Sequence, residues 1–235
     1  MEYGLQLYSI RDITPVDMSS ALHAAKDAGY AFVEFAGFFG HPAADTARML
    51  ADTGLRASGT HTGLAELSRD YDGVVAYHKS ICCCDLIIPG HDFGTEEKTE
   101  AFIREVNSLL PRLRDDGITL SYHNHAHEFS RGLYSKILDS TGLSVELDTY
   151  WAYAAGMDPV ALMERLRGRL RFIHLKDGLG DGTGRPLGHG DAPVRAVWGK
   201  AVQMGIPMVV ESETLTPDGI TEARLCMQYL RDLPG

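Results

Sequence analysis

The chain is 235 residues long, with 22 basic and 32 acidic side chains, a formal net charge of −10 and 44% hydrophobic residues. That length and apolar content suit one compact domain with a sizeable core, while the acidic excess sets a repulsive mean field against nucleic acid and anionic lipid. No window reaches the roughly 20 apolar residues of a spanning helix, and MEYGLQLYSIRD lacks the basic start and small-residue cleavage site of a signal peptide, so no membrane partner and a cytoplasmic location are expected.

From the N-terminus onward, short apolar or β-branched runs alternate with longer stretches of helical period. Strands are expected over 4–9, 32–36, 56–61, 86–90, 119–125, 144–149, 171–177 and 208–212. Helices are expected over 15–28, 42–53, 96–116 and 194–204, stopped by Gly29, Gly54, Gly117 and Gly205, with a last one near 220–232. Eight βα units of about 29 residues predict an α/β fold, a single (β/α)8 barrel domain over 1–235. An open doubly wound sheet would usually show GxGxxG or GxxxxGK[ST] after its first strand, and neither is present. The glycine-rich stretch 178–193 is expected to be a mobile lid at the barrel mouth. Cys82, Cys83, Cys84 and Cys226 form no CxxC spacing and are expected to be small buried thiols.

In such a barrel, catalytic groups collect at the carboxyl ends of the strands. Of the ten histidines, only His23 and His78 fall within helices or helix-like stretches; His41, His61, His91, His123, His125, His127, His174 and His189 all fall at strand ends or in the following loops. Filler histidines would be scattered over both faces, so this one-sided placement points to a shared site. Strand parity then selects among them. With Val145 and Leu147 facing the helices, Ser144, Glu146 and Asp148 turn inward; the same rule turns Ser121, His123 and His125, then Phe172, His174 and Lys176, then Val209 and Glu211 inward. His123, His125, Asp148, His174 and Glu211 are thus aimed at one mouth. Two or three imidazoles with two carboxylates and no thiolate suit one divalent ion, Mn²⁺, Co²⁺, Zn²⁺ or Fe²⁺.

At these residues the sequence resembles the xylose isomerase-like superfamily of sugar isomerases and epimerases. The resemblance runs over nearly the whole chain, through LQLYSIRD, GYAFVEFAG, SGTHTG, YHNHAHEF, VELDTYWAYAAGMDP, FIHLKD and VVESE. It implies a TIM barrel with one divalent metal ion held by His123, Asp148, His174 and Glu211. Many members carry Glu at the first of these positions; His123 stands there in this chain, as in the YHNH subgroup nearer to inosose dehydratase, and His125 replaces it if the strand register is shifted. GHG at 188–190 also departs from the usual Gly-Glu-Gly. Similar family positions make Glu34 and His61 candidate contacts for a small sugar or cyclitol substrate; Glu128 ranks beside them, and Trp151, which follows a ligand, is a candidate apolar wall for it. Lys176 is a candidate for holding a negative enolate oxygen.

The expected activity is metal-dependent proton abstraction beside the carbonyl of a keto-sugar, cyclitol or related polyol. An epimerase needs acid/base groups on both faces of the enediolate, and with His123 in place of Glu only Glu211 of that pair remains. A dehydratase needs less: Glu211 as base, Lys176 on the developing charge, and His125 as acid. Isomerase or 3-epimerase activity is the alternative. From other classes, a metal hydrolase is suggested by the HxH pair at His123 and His125, a repair nuclease by the fold family, and a non-catalytic sugar binder by loss of chemistry alone. The charge argues against the nuclease, and self-association into a homo-oligomer is left open.

Overall fold

A computed structural model describes residues 1–234. Eight parallel strands are present: β1 (Gly4–Gln6), β2 (Phe32–Phe35), β3 (Arg56–His61), β4 (Asp85–Ile88), β5 (Thr119–His123), β6 (Ser144–Asp148), β7 (Leu170–Leu175) and β8 (Met208–Val210). They close into a barrel in the order β1-β8-β7-β6-β5-β4-β3-β2. The single (β/α)8 fold read from the sequence is the fold observed.

Among the described residues ten α-helices surround the strands: α1 (Met18–Ala28), α2 (Ala43–Thr53), α3 (Leu64–Arg69), α4 (Tyr71–Ser80), α5 (Glu96–Asp115), α6 (Leu133–Ser140), α7 (Thr149–Ala154), α8 (Pro159–Arg165), α9 (Val194–Met204) and α10 (Gly219–Arg231). Gly29, Gly54 and Gly205 end their helices in the left-handed conformation, as their positions predicted. The first strand is shorter than expected. The Gln6 side chain accepts the Tyr8 N–H and caps a 3-10 turn over Leu7–Ile10, which buries Leu7 and Ile10.

Alternation along the strands sorts the apolar residues into two sets. Outward-facing Leu86, Ile88, Leu120, Tyr122, Val145, Leu147, Ile173, Leu175, Met208 and Val210 join the main core beneath the helices. Inward-facing Phe32, Phe172 and Val209 pack together and close the lower barrel. A Cβ at Gly4 would overlap a ring carbon of Phe32, so glycine there lets the plug pack without displacing that ring. A register shift between Val145 and Glu146 skips Arg171 and sets Glu146 beside Phe172 and Asp148 beside His174. That irregularity keeps the inward residues of β6 and β7 in step.

The stretch 178–193 is anchored where a mobile lid was expected. The buried carboxylate of Asp177 accepts four backbone N–H groups, from Gly178 at 2.8 Å, Ala192 at 3.2 Å, Gly188 at 2.9 Å and Gly190 at 3.0 Å. A short hairpin pairs Asp177–Gly178 with Gly184–Arg185, and the Tyr150 hydroxyl donates to the Leu179 carbonyl. A side chain at Gly190 would collide with Asp177 and one at Gly188 with Tyr229, so GHG is a requirement for two glycines and His189 between them is exposed. The thiols also divide: Cys83 and Cys226 are buried as expected, whereas Cys82 and Cys84 are exposed in the turn before β4.

Asp177→Ala should therefore cost about 2–4 kcal/mol, since charge-assisted hydrogen bonds to several amides are lost together. In the free wild-type protein the Gly188, Gly190 and Ala192 amides should be protected from hydrogen exchange, and in the variant that protection should vanish first. Fast exchange of these amides in the wild type would contradict the anchored loop.

Candidate metal centre and active site

His123, Asp148, His174 and Glu211 meet at the C-terminal mouth, each from the end of a different strand and each buried. Every one of them offers a ligand atom within 4.8 Å of the others. Short-range devices built into the neighbouring sequence place them. In YHNH, Asn124 donates to the Asp148 carbonyl and accepts the Asp148 N–H, both at 3.1 Å, continuing the β5–β6 pairing with a side chain. In LDTYW, Asp148 Oδ1 accepts the Trp151 N–H at 2.8 Å and caps α7, while the Thr149 hydroxyl donates to the His174 carbonyl. Asp148 Oδ2 is left buried with no hydrogen-bond partner, 3.9 Å from His123 Nε2 and 3.9 Å from Lys176 Nζ. An orphaned carboxylate oxygen facing an imidazole nitrogen fits a cation between them.

Glu211 Oε2 lies 3.2 Å from His174 Nδ1 and 3.2 Å from Lys176 Nζ. Lys176 also pairs with Glu213 at 2.8 Å, and its ammonium lies 4.9 Å from the centre of the Trp151 ring. Burial works against both charges, but Lys176 and His174 hold the Glu211 carboxyl well below its ordinary range, and Glu211 and Asp148 raise Lys176 above its own. For Asp148, burial outweighs the ammonium of Lys176 and lifts the carboxyl to about 7. His123 is pressed down to about 3 by burial, so it is neutral.

Beneath this quartet lies a second polar layer. Glu146 Oε1 accepts from His123 Nδ1 at 3.0 Å and lies 3.1 Å from both His61 Nε2 and His174 Nε2. Glu34 Oε1 accepts from Gln6 Nε2 at 2.6 Å and His174 Nε2 at 2.7 Å. His61, His123, Glu146 and His174 also satisfy the spacing for a cation, so two overlapping quartets share His123 and His174. Strand parity had already turned Glu146 inward, yet it sits one layer below the strand ends and was not among the site candidates. Gln6 and Glu213 lie within LQLYSIRD and VVESE, but nothing in those motifs marked them as site residues.

A cavity of about 460 Å³ opens above the quartet, lined in part by Tyr8, His61, His123, His125, Glu211 and Glu213. That volume falls in the range of small-molecule sites. A cavity of about 470 Å³ on the opposite face is lined mainly by apolar groups such as Phe32, Phe172 and Met208 and is remote from the histidines. Of the expected substrate contacts, His61 reaches the upper cavity. Glu34 and Glu128 do not: both are fully buried, Glu34 in the lower layer and Glu128 by accepting the Tyr122 hydroxyl at 2.7 Å and the His125 N–H at 2.9 Å. Trp151 packs beside Lys176 and His125. β5 ends at His123, so His125 lies beyond the strand, outside both quartets but on the cavity wall.

The family model described as xylose isomerase-like TIM barrel matches residues 22–233. The chain belongs to this family. No curated protein matches it significantly. Among solved structures, a sugar phosphate isomerase/epimerase from Parabacteroides distasonis superposes with a TM-score of 0.87 at 23% identity, over 99% of this chain and 98% of that one. The probable 3-DHS dehydratase of petrobactin synthesis from Bacillus anthracis gives 0.81 at 14% identity over all of both chains. D-allulose 3-epimerase from a Methylomonas species, solved with D-allulose, gives 0.74 at 16% identity over 98% of this chain and 96% of that one. These likenesses establish the shared fold. No helix among the described residues is long and apolar enough to cross a membrane.

Asn124→Ala should leave the Asp148 N–H and carbonyl buried without partners. The expected loss is about 1–3 kcal/mol in denaturant unfolding, and an unchanged midpoint would show that the β5–β6 clasp contributes nothing.

Proposed function

We propose that this protein is a divalent-metal-dependent enzyme that abstracts the proton beside the carbonyl of a keto-sugar, cyclitol or related polyol, and that it acts as a dehydratase. The observation that carries this reading is Glu211, a carboxylate held ionised by Lys176 and His174 at the floor of a sugar-sized cavity. His123, Asp148, His174 and Glu211 would hold the ion. When bound, it would supply Lewis-acid polarisation of the substrate carbonyl.

The chain's own groups then divide the work. Glu211 receives the proton from carbon. The Lys176 ammonium, 3.2 Å from Glu211, stabilises the negative charge that develops on the substrate oxygen. His61, His125 and Tyr8 border the bound molecule. Facing Glu211 across the mouth, His123 has Nδ1 committed to Glu146, which leaves it no free nitrogen for proton exchange once Nε2 is engaged. His125 is free for that role: its Nδ1 is buried with no partner, and its ring lies on the cavity wall. As imidazolium, His125 protonates the departing hydroxyl, which leaves as water; the proton on Glu211 returns to solvent and His125 takes one back, so both groups are restored. Glu34 and Glu128 serve as supports for His174 and His125 in this scheme.

Two experiments test the proposal. Ion binding should show one site per chain by calorimetry, abolished in Asp148→Ala and His174→Ala. In the ion-free protein, Asp148 titrates near 7 and His174, against burial, is raised by Glu146 and Glu34. Below pH 7 both hold protons that an ion must displace, so affinity should fall about tenfold per unit or more as the pH drops from 7 to 5.5. Affinity independent of pH across that window would exclude Asp148 as a ligand.

The second experiment incubates inososes and 3-keto-sugars with the ion-loaded enzyme in D₂O. An unsaturated product should appear in the ultraviolet, and His125→Gln should keep exchange at the carbon beside the carbonyl while losing elimination by about 10²–10⁴-fold. Inversion with deuterium incorporated and no dehydrated product would make it an epimerase; affinity without exchange would make it a binder.

A further inference from the structure

The polar layer beneath the mouth has a directional consequence. A carboxylate oxygen only accepts hydrogen bonds, so a ring nitrogen bonded to it carries the hydrogen. Glu146 Oε1 is bonded to His123 through Nδ1 at 3.0 Å and lies 3.1 Å from His174 Nε2. On a neutral imidazole, a hydrogen on one nitrogen leaves the lone pair on the other. The lone pair of His123 is therefore on Nε2, which faces the unpartnered Asp148 Oδ2; His174, bonded to Glu34 Oε1 through Nε2 and to Glu211 Oε2 through Nδ1, carries a hydrogen on each nitrogen until an ion takes the place of the one on Nδ1. Nε2 of His123 and Nδ1 of His174 point up into the quartet at the mouth, while the His123 Nδ1–H points down onto Glu146 Oε1 and the His174 Nε2–H onto Glu34 Oε1 at 2.7 Å, with Glu146 Oε1 3.1 Å away.

We infer that Glu146 is the positioning residue of the metal centre: it fixes His123 to offer Nε2 and, together with Glu34, His174 to offer Nδ1. This rests on the proposed quartet of His123, Asp148, His174 and Glu211 as the ion's ligands. Glu34 shares His174 but has no hydrogen bond to His123, so among the described residues Glu146 is the carboxylate that reaches both histidines. Its burial is complete. A buried anion held by imidazole N–H groups resists rotation of either ring, because turning a ring would strand the charge without a donor. The arrangement also chooses between the two overlapping quartets. If the ion sat among His61, His123, Glu146 and His174, Glu146 would be a ligand and His123 would have to present Nδ1.

The test uses Zn²⁺ as a diamagnetic probe. In the full-length wild type loaded with Zn²⁺, long-range ¹H–¹⁵N correlation spectra should show His123 protonated at Nδ1 and His174 protonated at Nε2. Glu146→Gln should weaken Zn²⁺ binding by about 10–100-fold in a competition assay with a chelator, the range for loss of an outer-shell partner. Glu34→Gln should leave the His123 tautomer unchanged. Zn²⁺ bound with His123 protonated at Nε2, or with affinity unaltered in Glu146→Gln, would overturn this inference while leaving a metal centre in place. No Zn²⁺ binding by the wild type would overturn the quartet and this inference together. The wild-type spectrum decides the matter even if the Glu146 variants fail to fold.

Discussion

Two carboxylates, Glu34 and Glu146, lie fully buried inside the barrel, and the arrangement above them follows from keeping that charge there. Burying an ionised group costs several kcal/mol unless charge and hydrogen bonding compensate it. Their partners are imidazoles and an amide: His61, His123 and His174 surround Glu146, while Gln6 and His174 bond Glu34. The pair shares the load unequally. Burial and the neighbouring Glu146 raise Glu34, so it is the readier to take a proton, whereas Glu146 is held well below its ordinary range by His174 and the other imidazoles despite burial. Glu34 and Glu146 in turn hold His61 up at about 9 against the effect of burial. Each histidine is thus oriented from below before anything enters from above.

The residues beside the chemical ones do backbone work. Asn124 ties the Asp148 peptide to β5, Asp148 caps α7 with one oxygen and presents the other, and Asp177, next to Lys176, gathers four amides of the loop behind the mouth. Glu128 fixes the turn that carries His125. A site whose supports are hydrogen-bonded in this way needs little rearrangement to accept a ligand. This accounts for why YHNH, LDTYW and HLKD extend beyond the four residues that converge at the mouth.

Much of this was legible in the sequence because a parallel barrel converts strand parity directly into inside and outside. The eight strands, the inward sets on β5 to β8 and the gathering of histidines at one rim all followed from alternation and chain order. What escaped did so for local reasons. Strand ends are set by turns such as the Gln6 cap, so β1 and β5 stop earlier than their apolar runs suggest and His125 leaves the strand. The helices α3, α4, α6, α7 and α8 are short, and their periodicity is weak over so few turns. The stretch 178–193 looked mobile from its glycines, but those glycines let the chain close around Asp177, a contact that spacing alone does not reveal. Glu146 had the right parity and was passed over because strand-end reasoning looks only at the top layer.

That one of the proposed ligands is His123 and not a third carboxylate matters most through charge. On the proposed assignment, a divalent ion is balanced by Asp148 and Glu211, and Lys176 by Glu213, so the mouth is close to neutral. A third carboxylate among the ligands would leave it one unit more negative, which opposes the negative charge that proton abstraction creates on the substrate oxygen. With His123 the centre is a stronger electrophile and has one base fewer. Glu146 is what makes His123 workable as a ligand, since without an acceptor beneath it a buried neutral imidazole could turn either nitrogen toward the ion. On this assignment the lower layer and His123 belong together: the negative charge that a third carboxylate ligand would put at the top of the barrel lies one layer down, where it orients the ligands without facing the substrate.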